Sequence, residues 1–183
     1  AHLSELFRVR GRVIPVTLEH TQLVAKYADG HTVTGEHLID EPVTDPGKIS
    51  RLSLAPAAVA HHEAVRAINE ADVLIAGPGD LFTSTLANII IPGIAEAIQA
   101  SRARFIFVTN LMTKRGQTQG LTATDTVAEI TCYSGRPPDV VVAHDDGFST
   151  EILEKYQAQG DAPIVDDLVE GVYKIVRAEI VNP

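Results

Sequence analysis

The sequence predicts an α/β protein with a mostly parallel sheet and a β-hairpin excursion. Two observations carry that reading. Three short apolar runs, VLIA at 73–76, RFIFVT at 104–109 and DVVVA at 139–143, are each bounded by turn residues, as buried strands are. The segments between them have helical character, which is the spacing of parallel strands joined by helical crossovers. A third observation sets the opening apart: residues 22–27 and 32–39 flank Ala28-Asp29-Gly30, a hairpin signal.

Taken in order, Leu3, Leu6 and Phe7 at i, i+3, i+4 read as the last turns of a helix. The chain is therefore expected to be a fragment lacking an N-terminal strand-turn-helix. Residues 13–17 read as a strand, with Pro15 implying an edge or bulge. Residues 11–41 form a β-ribbon subregion, in which Glu36 and His37 read as a solvated hairpin face. Pro42, Pro46 and Gly47 mark the best internal boundary. Residues 48–183 then form the α/β core of one domain spanning 1–183.

Within that core, 49–54 is a strand and 57–69 a helix burying Ala60, Ala64, Ala67 and Ile68. His61-His62 has no second ligand pair at metal spacing. The strand at 73–76 is expected to be buried throughout. Pro92-Gly93 divides the following helical region, one helix ending near Ile91 and a second running 92–100 with proline in its first turn. Further helices are expected at 124–134, 149–159 and 167–175, and strands at 164–165 and 177–181.

Composition excludes several classes. The 183 residues suffice for a sizeable core. A net charge of −9 argues against nucleic-acid binding, which needs a basic footprint. A small anionic ligand stays compatible, because exposed charges beyond about 8 Å are screened at physiological salt. The single cysteine, Cys132, rules out an internal disulfide and fits a reducing, cytoplasmic setting. The most apolar run, 86–98, is broken by Asn88, Pro92-Gly93 and Glu96, short of the ~20 residues of a membrane span. Residues 1–10 are charged and amphipathic, unlike a signal peptide.

The chemistry gathers where the three parallel strands end. Their trailing loops, 77–85, 110–120 and 144–147, meet at one edge of the sheet, where open α/β sheets bind ligands. The first loop offers Gly77-Pro78-Gly79, free backbone N–H groups and the hydroxyls of Thr83 and Ser84. The second offers the Asn110 amide and the cations Lys114 and Arg115; the third offers His144, Asp145 and Asp146. Hydroxyls, amide and cations together suit a nucleotide or sugar phosphate. The same residues also read as a tight turn, helix caps and a solvated loop. No G-x-S-x-G elbow, Walker A loop or G-x-G-x-x-G fingerprint is present. His144 with the two aspartates offers acid/base chemistry, Mg²⁺ held through water, or simple capping.

GPGDLFTSTLANIIIPGIAEAI followed by VTNLMTKRGQTQGLTATDTVAEI resembles the YvcK/CofD family, specifically its gluconeogenesis-factor branch. The resemblance covers most of the chain. It implies a three-layer, Rossmann-like fold that binds a nucleotide-linked ligand. In the YvcK-like branch that ligand is a UDP-sugar such as UDP-N-acetylglucosamine, and the role is regulation of carbon metabolism, cell-wall precursor synthesis and cell shape. In the CofD branch the protein is a transferase that moves a phospholactyl group from a nucleotide-activated donor to a deazaflavin acceptor, with Mg²⁺. A homodimer with no membrane partner is expected. The positions implied in ligand contact or loop shaping are Gly77, Gly79, Leu81, Thr83, Ser84, Asn88 and Asn110, then Thr113 and Arg115. Two positions depart from the branch pattern: Asp80 stands where serine is common, and Ala87 where proline is common. Gly79-Asp80-Leu81, in place of the Asn-Pro that the CofD branch tends to carry, leans toward the binding branch.

Overall fold

The structure is a computed structural model describing residues 11–145 and 147–180. The expected helical turns at residues 3–7, and Asp146, lie outside the described residues. Two sheets are present. The first is antiparallel, in the order β2-β1-β3, built from β1 (Gln22–Tyr27), β2 (Thr32–Thr34) and β3 (Ile49–Ala55). The second is parallel and runs in sequential order through β4 (Val73–Ala76), β5 (Arg104–Val108), β6 (Val140–His144) and β7 (Lys174–Ala178). This is the mixed α/β architecture the strand spacing predicts.

The opening departs most from expectation. Residues 13–17 form no strand: Pro15 removes a ladder donor, and the segment is instead held by His61 N–H donating to the Val16 carbonyl at 2.7 Å. The strand expected over 32–39 stops at Thr34, because Gly35 takes φ 105° and turns the chain into α1 (Glu36–Asp40). That short helix buries Ile39 and delivers Asp40 toward the second sheet. Helix α2 (His62–Glu70) starts five residues later than expected, since Ala60 and His61 donate to the Pro92 and Val16 carbonyls instead. It buries Ala64, while Ala67 is exposed.

Strand β4 is the lateral strand of its sheet and only one of its faces is covered. Val73 and Ile75 remain 47% and 65% exposed, so the expectation of burial throughout fails. A parallel sheet in sequential order with right-handed crossovers places its connecting helices on a single face. That face carries Phe105, Phe107 and Val141, each at most 1% exposed. The connections are α3 (Leu81–Ile89, whose first turns are wide π turns), α4 (Ile94–Ala100), α5 (Ala123–Ser134) and α6 (Thr150–Gln157). α4 begins after Gly93, held at φ 102°, so Pro92 lies outside it. α5 carries a reciprocal cap between Thr122 and Asp125, and Ser149 caps α6.

The C-terminal third is also re-registered. The strand expected at 164–165 does not form, Pro163 and Val165 making only isolated bridges to Met112 and Thr122, and no helix forms over 167–175. Val140 pairs with Lys174, which places β7 three residues earlier than the strand expected at 177. One apolar cluster runs from Leu23 and Tyr27 of the first sheet to Phe105 and Ile175 of the second. No single helix among the described residues is long and apolar enough to cross a membrane.

Candidate functional site

Parallel pairing puts the carboxyl ends of β4, β5 and β6 at one edge, so the three loops do converge. Gly77 leaves β4 at φ +80°, and a Cβ there would stand 2.8 Å from the Val108 carbonyl. Only glycine lets the turn lie this close to β5. The Asn110 amide donates to the Gly79 carbonyl at 2.8 Å, tying the second loop to the glycine turn. At the end of β6, His144 Nδ1 accepts from the Ile180 N–H at 3.3 Å, and its ring lies 5.2 Å from that of Phe148. Asn110 and His144 wall one shared depression with Asp166. Gly79, Asn110 and His144 therefore share an edge.

On one side of the glycine turn lies a cleft of 420 Å³ walled by Leu74, Ile75, Gly79, Ser84, Thr85 and Asn88 among others. Its floor is apolar and its rim polar, as expected of a small-molecule site. Ser84 is exposed there, and Asn88 lies one turn on, its amide donating to the Ser84 carbonyl at 2.6 Å. The Asp80 carbonyl accepts from both Ser84 and Thr85, the geometry of a π turn. The N–H groups of Leu81, Phe82 and Thr83 lie in the first turn of α3, where no preceding helical carbonyl can accept from them. On the other side is a more polar depression shared by Asp80, Asn110, Met112, Lys114, Tyr156 and Asp161.

Other expected site residues turn inward. Leu81 is 1% exposed and belongs to the core. Thr113 is buried, its hydroxyl donating to the Ala162 carbonyl at 3.1 Å. Arg115 reaches sideways, donating from Nη2 to the Pro42 carbonyl at 3.0 Å, while its backbone N–H is held by Asp161 at 2.8 Å. Thr83 is buried and donates to Asp40 at 3.0 Å.

That last bond belongs to a cluster that sequence reasoning missed. Lys114 Nζ lies 2.5 Å from Asp40 Oδ1 and 2.7 Å from Asp80 Oδ2, and the Gln117 amide donates to Asp40 at 2.8 Å. Burial opposes ionisation of Asp40, yet the hydrogen bonds from Lys114 and Thr83 prevail and hold its carboxyl below the ordinary value. Lys114 is likewise depressed by burial and raised more strongly by its two carboxylate partners, for a net upward shift. The departure at Asp80 is thereby accounted for: its charge is offset by Lys114. Nothing local announces Asp40, since its partner stands 74 positions away. A second unforeseen pair is Arg177, whose guanidinium grips Asp166 through Nε at 2.6 Å and Nη2 at 3.0 Å beside His144. That fork pulls the Asp166 carboxyl down.

Among the described residues, no three imidazole, thiolate or carboxylate side chains gather at a spacing that would hold a metal ion.

The family model described as 2-phospho-L-lactate transferase CofD matches residues 1–181. A putative gluconeogenesis factor of Thermotoga maritima is 37% identical over 177 residues, 97% of this chain and 55% of that protein. The gluconeogenesis factor of Bacillus subtilis is 31% identical over 98% of this chain and 57% of its own length. A crystal structure of a UPF0052-family protein from Bacillus halodurans superposes with a TM-score of 0.89 at 33% identity, covering 99% of this chain and 59% of that one. The chain thus spans about half the length of the curated relatives it matches. With the glycine turn, the Asn110 tie and the parallel sheet in place, these matches show that the chain belongs to the YvcK/CofD family, among the relatives named gluconeogenesis factors.

Proposed function

We propose that the carboxyl edge of the parallel sheet binds a nucleotide-linked sugar, a UDP-sugar such as UDP-N-acetylglucosamine. In this reading the chain regulates carbon metabolism and cell-wall precursor synthesis without consuming the ligand. The observation that carries the proposal is the cleft beside the glycine turn, where Gly79, Ser84 and Asn88 meet an apolar floor, the turn being held from its other side by the Asn110–Gly79 hydrogen bond. The Ser84 hydroxyl suits a phosphate oxygen, and Asn88 suits a polar substituent. The apolar floor suits the face of a base or sugar ring.

Titration calorimetry of the chain, and of a full-length relative, against UDP-sugars, GDP and buffer tests the reading. Ser84→Ala and Asn88→Ala should each weaken UDP-sugar binding about fivefold, the loss of one hydrogen bond at about 1 kcal/mol. Unchanged affinity in both variants would refute the site. A second reading is favoured by the matched family's description: transfer of a phospholactyl group to a deazaflavin. Turnover of a guanylylated phospholactate with that acceptor would decide for it.

A further inference from the structure

The opposite, amino-terminal edge of the parallel sheet carries a depression of 430 Å³ walled by Arg102, Arg104, Arg136, Asp139 and Lys174. In a chain of net charge −9, four cations and one carboxylate meet there. Two of these groups belong to the framework. The Arg136 guanidinium donates to the Ser101 carbonyl at 2.8 Å, the Ala103 carbonyl at 2.9 Å and Asp139 at 3.0 Å. It also lies 5.6 Å from the centre of the Phe105 ring. Asp139 accepts in addition from the Phe105 N–H at 2.7 Å, so its charge is committed to Arg136 and to the start of β5.

Arg102, Arg104 and Lys174 differ. Each is exposed, and among the described residues none has a side-chain hydrogen bond or ion pair. Arg104 and Lys174 open β5 and β7, on either side of the Val140 strand that separates them. Three uncompensated cations around one concavity repel each other, and a multiply charged anion relieves that repulsion. Guanidinium forks suit phosphate oxygens in particular.

We infer that this depression is a second anion site, taking a small ligand with two or more phosphate charges. Its Arg104 stands about 20 Å from Asn110 by the rise of β5 and the residues that follow it, at the opposite edge of the sheet. Three free cations in one hollow are far fewer than the basic track a polynucleotide needs, and the negative chain repels one further.

Calorimetry with inorganic pyrophosphate as the probe tests the inference. The unaltered chain should bind it, more weakly as salt rises. Arg104→Gln with Lys174→Gln should weaken binding about tenfold or more, and Arg102→Gln alone by less. All three side chains are exposed, and unchanged urea midpoints should verify that the variants fold. Pyrophosphate should shift the backbone amide NMR signals of Arg104 and Lys174 and leave those of Ser84 and Asn88 in place, which separates this site from the cleft. The inference is overturned by absence of pyrophosphate binding, by full binding in the double variant, or by shifts at Ser84 and Asn88 in place of Arg104 and Lys174. Tighter binding of a poly-glutamate peptide than of pyrophosphate would overturn the ligand class.

Discussion

Thr83 and Ser84 are neighbours with the same hydroxyl, yet they belong to different regions of the molecule. Thr83 faces inward to Asp40, Gln117 and Lys114, a polar cluster that joins α1 to the glycine turn and to the 110–120 loop. Ser84 faces the cleft with Asn88 and leaves its hydroxyl to solvent. One residue step along a helix turns a side chain through roughly 100°. The comparison teaches that polar residues in a single motif divide between building the loop and presenting it. Only the second kind remains free to meet a ligand.

Substitutions that disturb the building side should cost stability, and those on the presenting side should cost binding alone. The largest effect is expected from Gly77→Ala, where a side chain at φ +80° collides with the Val108 carbonyl. A loss of about 3 kcal/mol in urea denaturation is expected, and a loss below about 1 kcal/mol would show that the turn relaxes easily. Lys114→Met comes next. It strands Asp40 and Asp80 side by side, each about a third exposed or less, and should cost about 2 kcal/mol after allowing for that exposure.

Thr83→Ala should cost about 1.5 kcal/mol by leaving Asp40 short of a donor, whereas Ser84→Ala should stay within about 0.5 kcal/mol. Equal losses at the two positions would erase the distinction between the regions. The smallest effect is on the pH profile, under about 1 kcal/mol on either limb. Asp40 lies below its ordinary value of 3.8, so its contribution is complete above that pH and fades as pH falls through the folded-state value. Lys114 lies above its ordinary 10.5, so its contribution is complete below that pH and fades as pH rises through the folded-state value. Urea midpoints across pH should therefore form a plateau between these limits. In Lys114→Met the alkaline fall due to this group should vanish and the acid fall should shrink.

The parallel strands and their loops were legible because their signals are local. An apolar run between turn residues requires nothing from the rest of the chain. The strand at 104–108 and the capped helix at 123–134 follow from such signals within a residue or two. The failures have nonlocal causes. Residues 13–17 look like a strand until Val16 is claimed by His61, and residues 167–175 look helical until Lys174 pairs beside Val140. Ile75 reads as buried because apolar runs in parallel sheets usually are, and its exposure depends on which strands stand next to it.

The candidate site divides along the same line. Residue order alone determined that a glycine turn, an asparagine and a histidine would each follow a parallel strand, because turn geometry and strand ends are written within a few positions. Tertiary structure alone decided which polar groups remain available. The Asp40–Lys114 pair spans 74 positions, and the Arg177–Asp166 fork turns on the register of β7. Hydrogen-bond partners are chosen by proximity in space, and a buried polar group must take whichever partner the packing brings within reach.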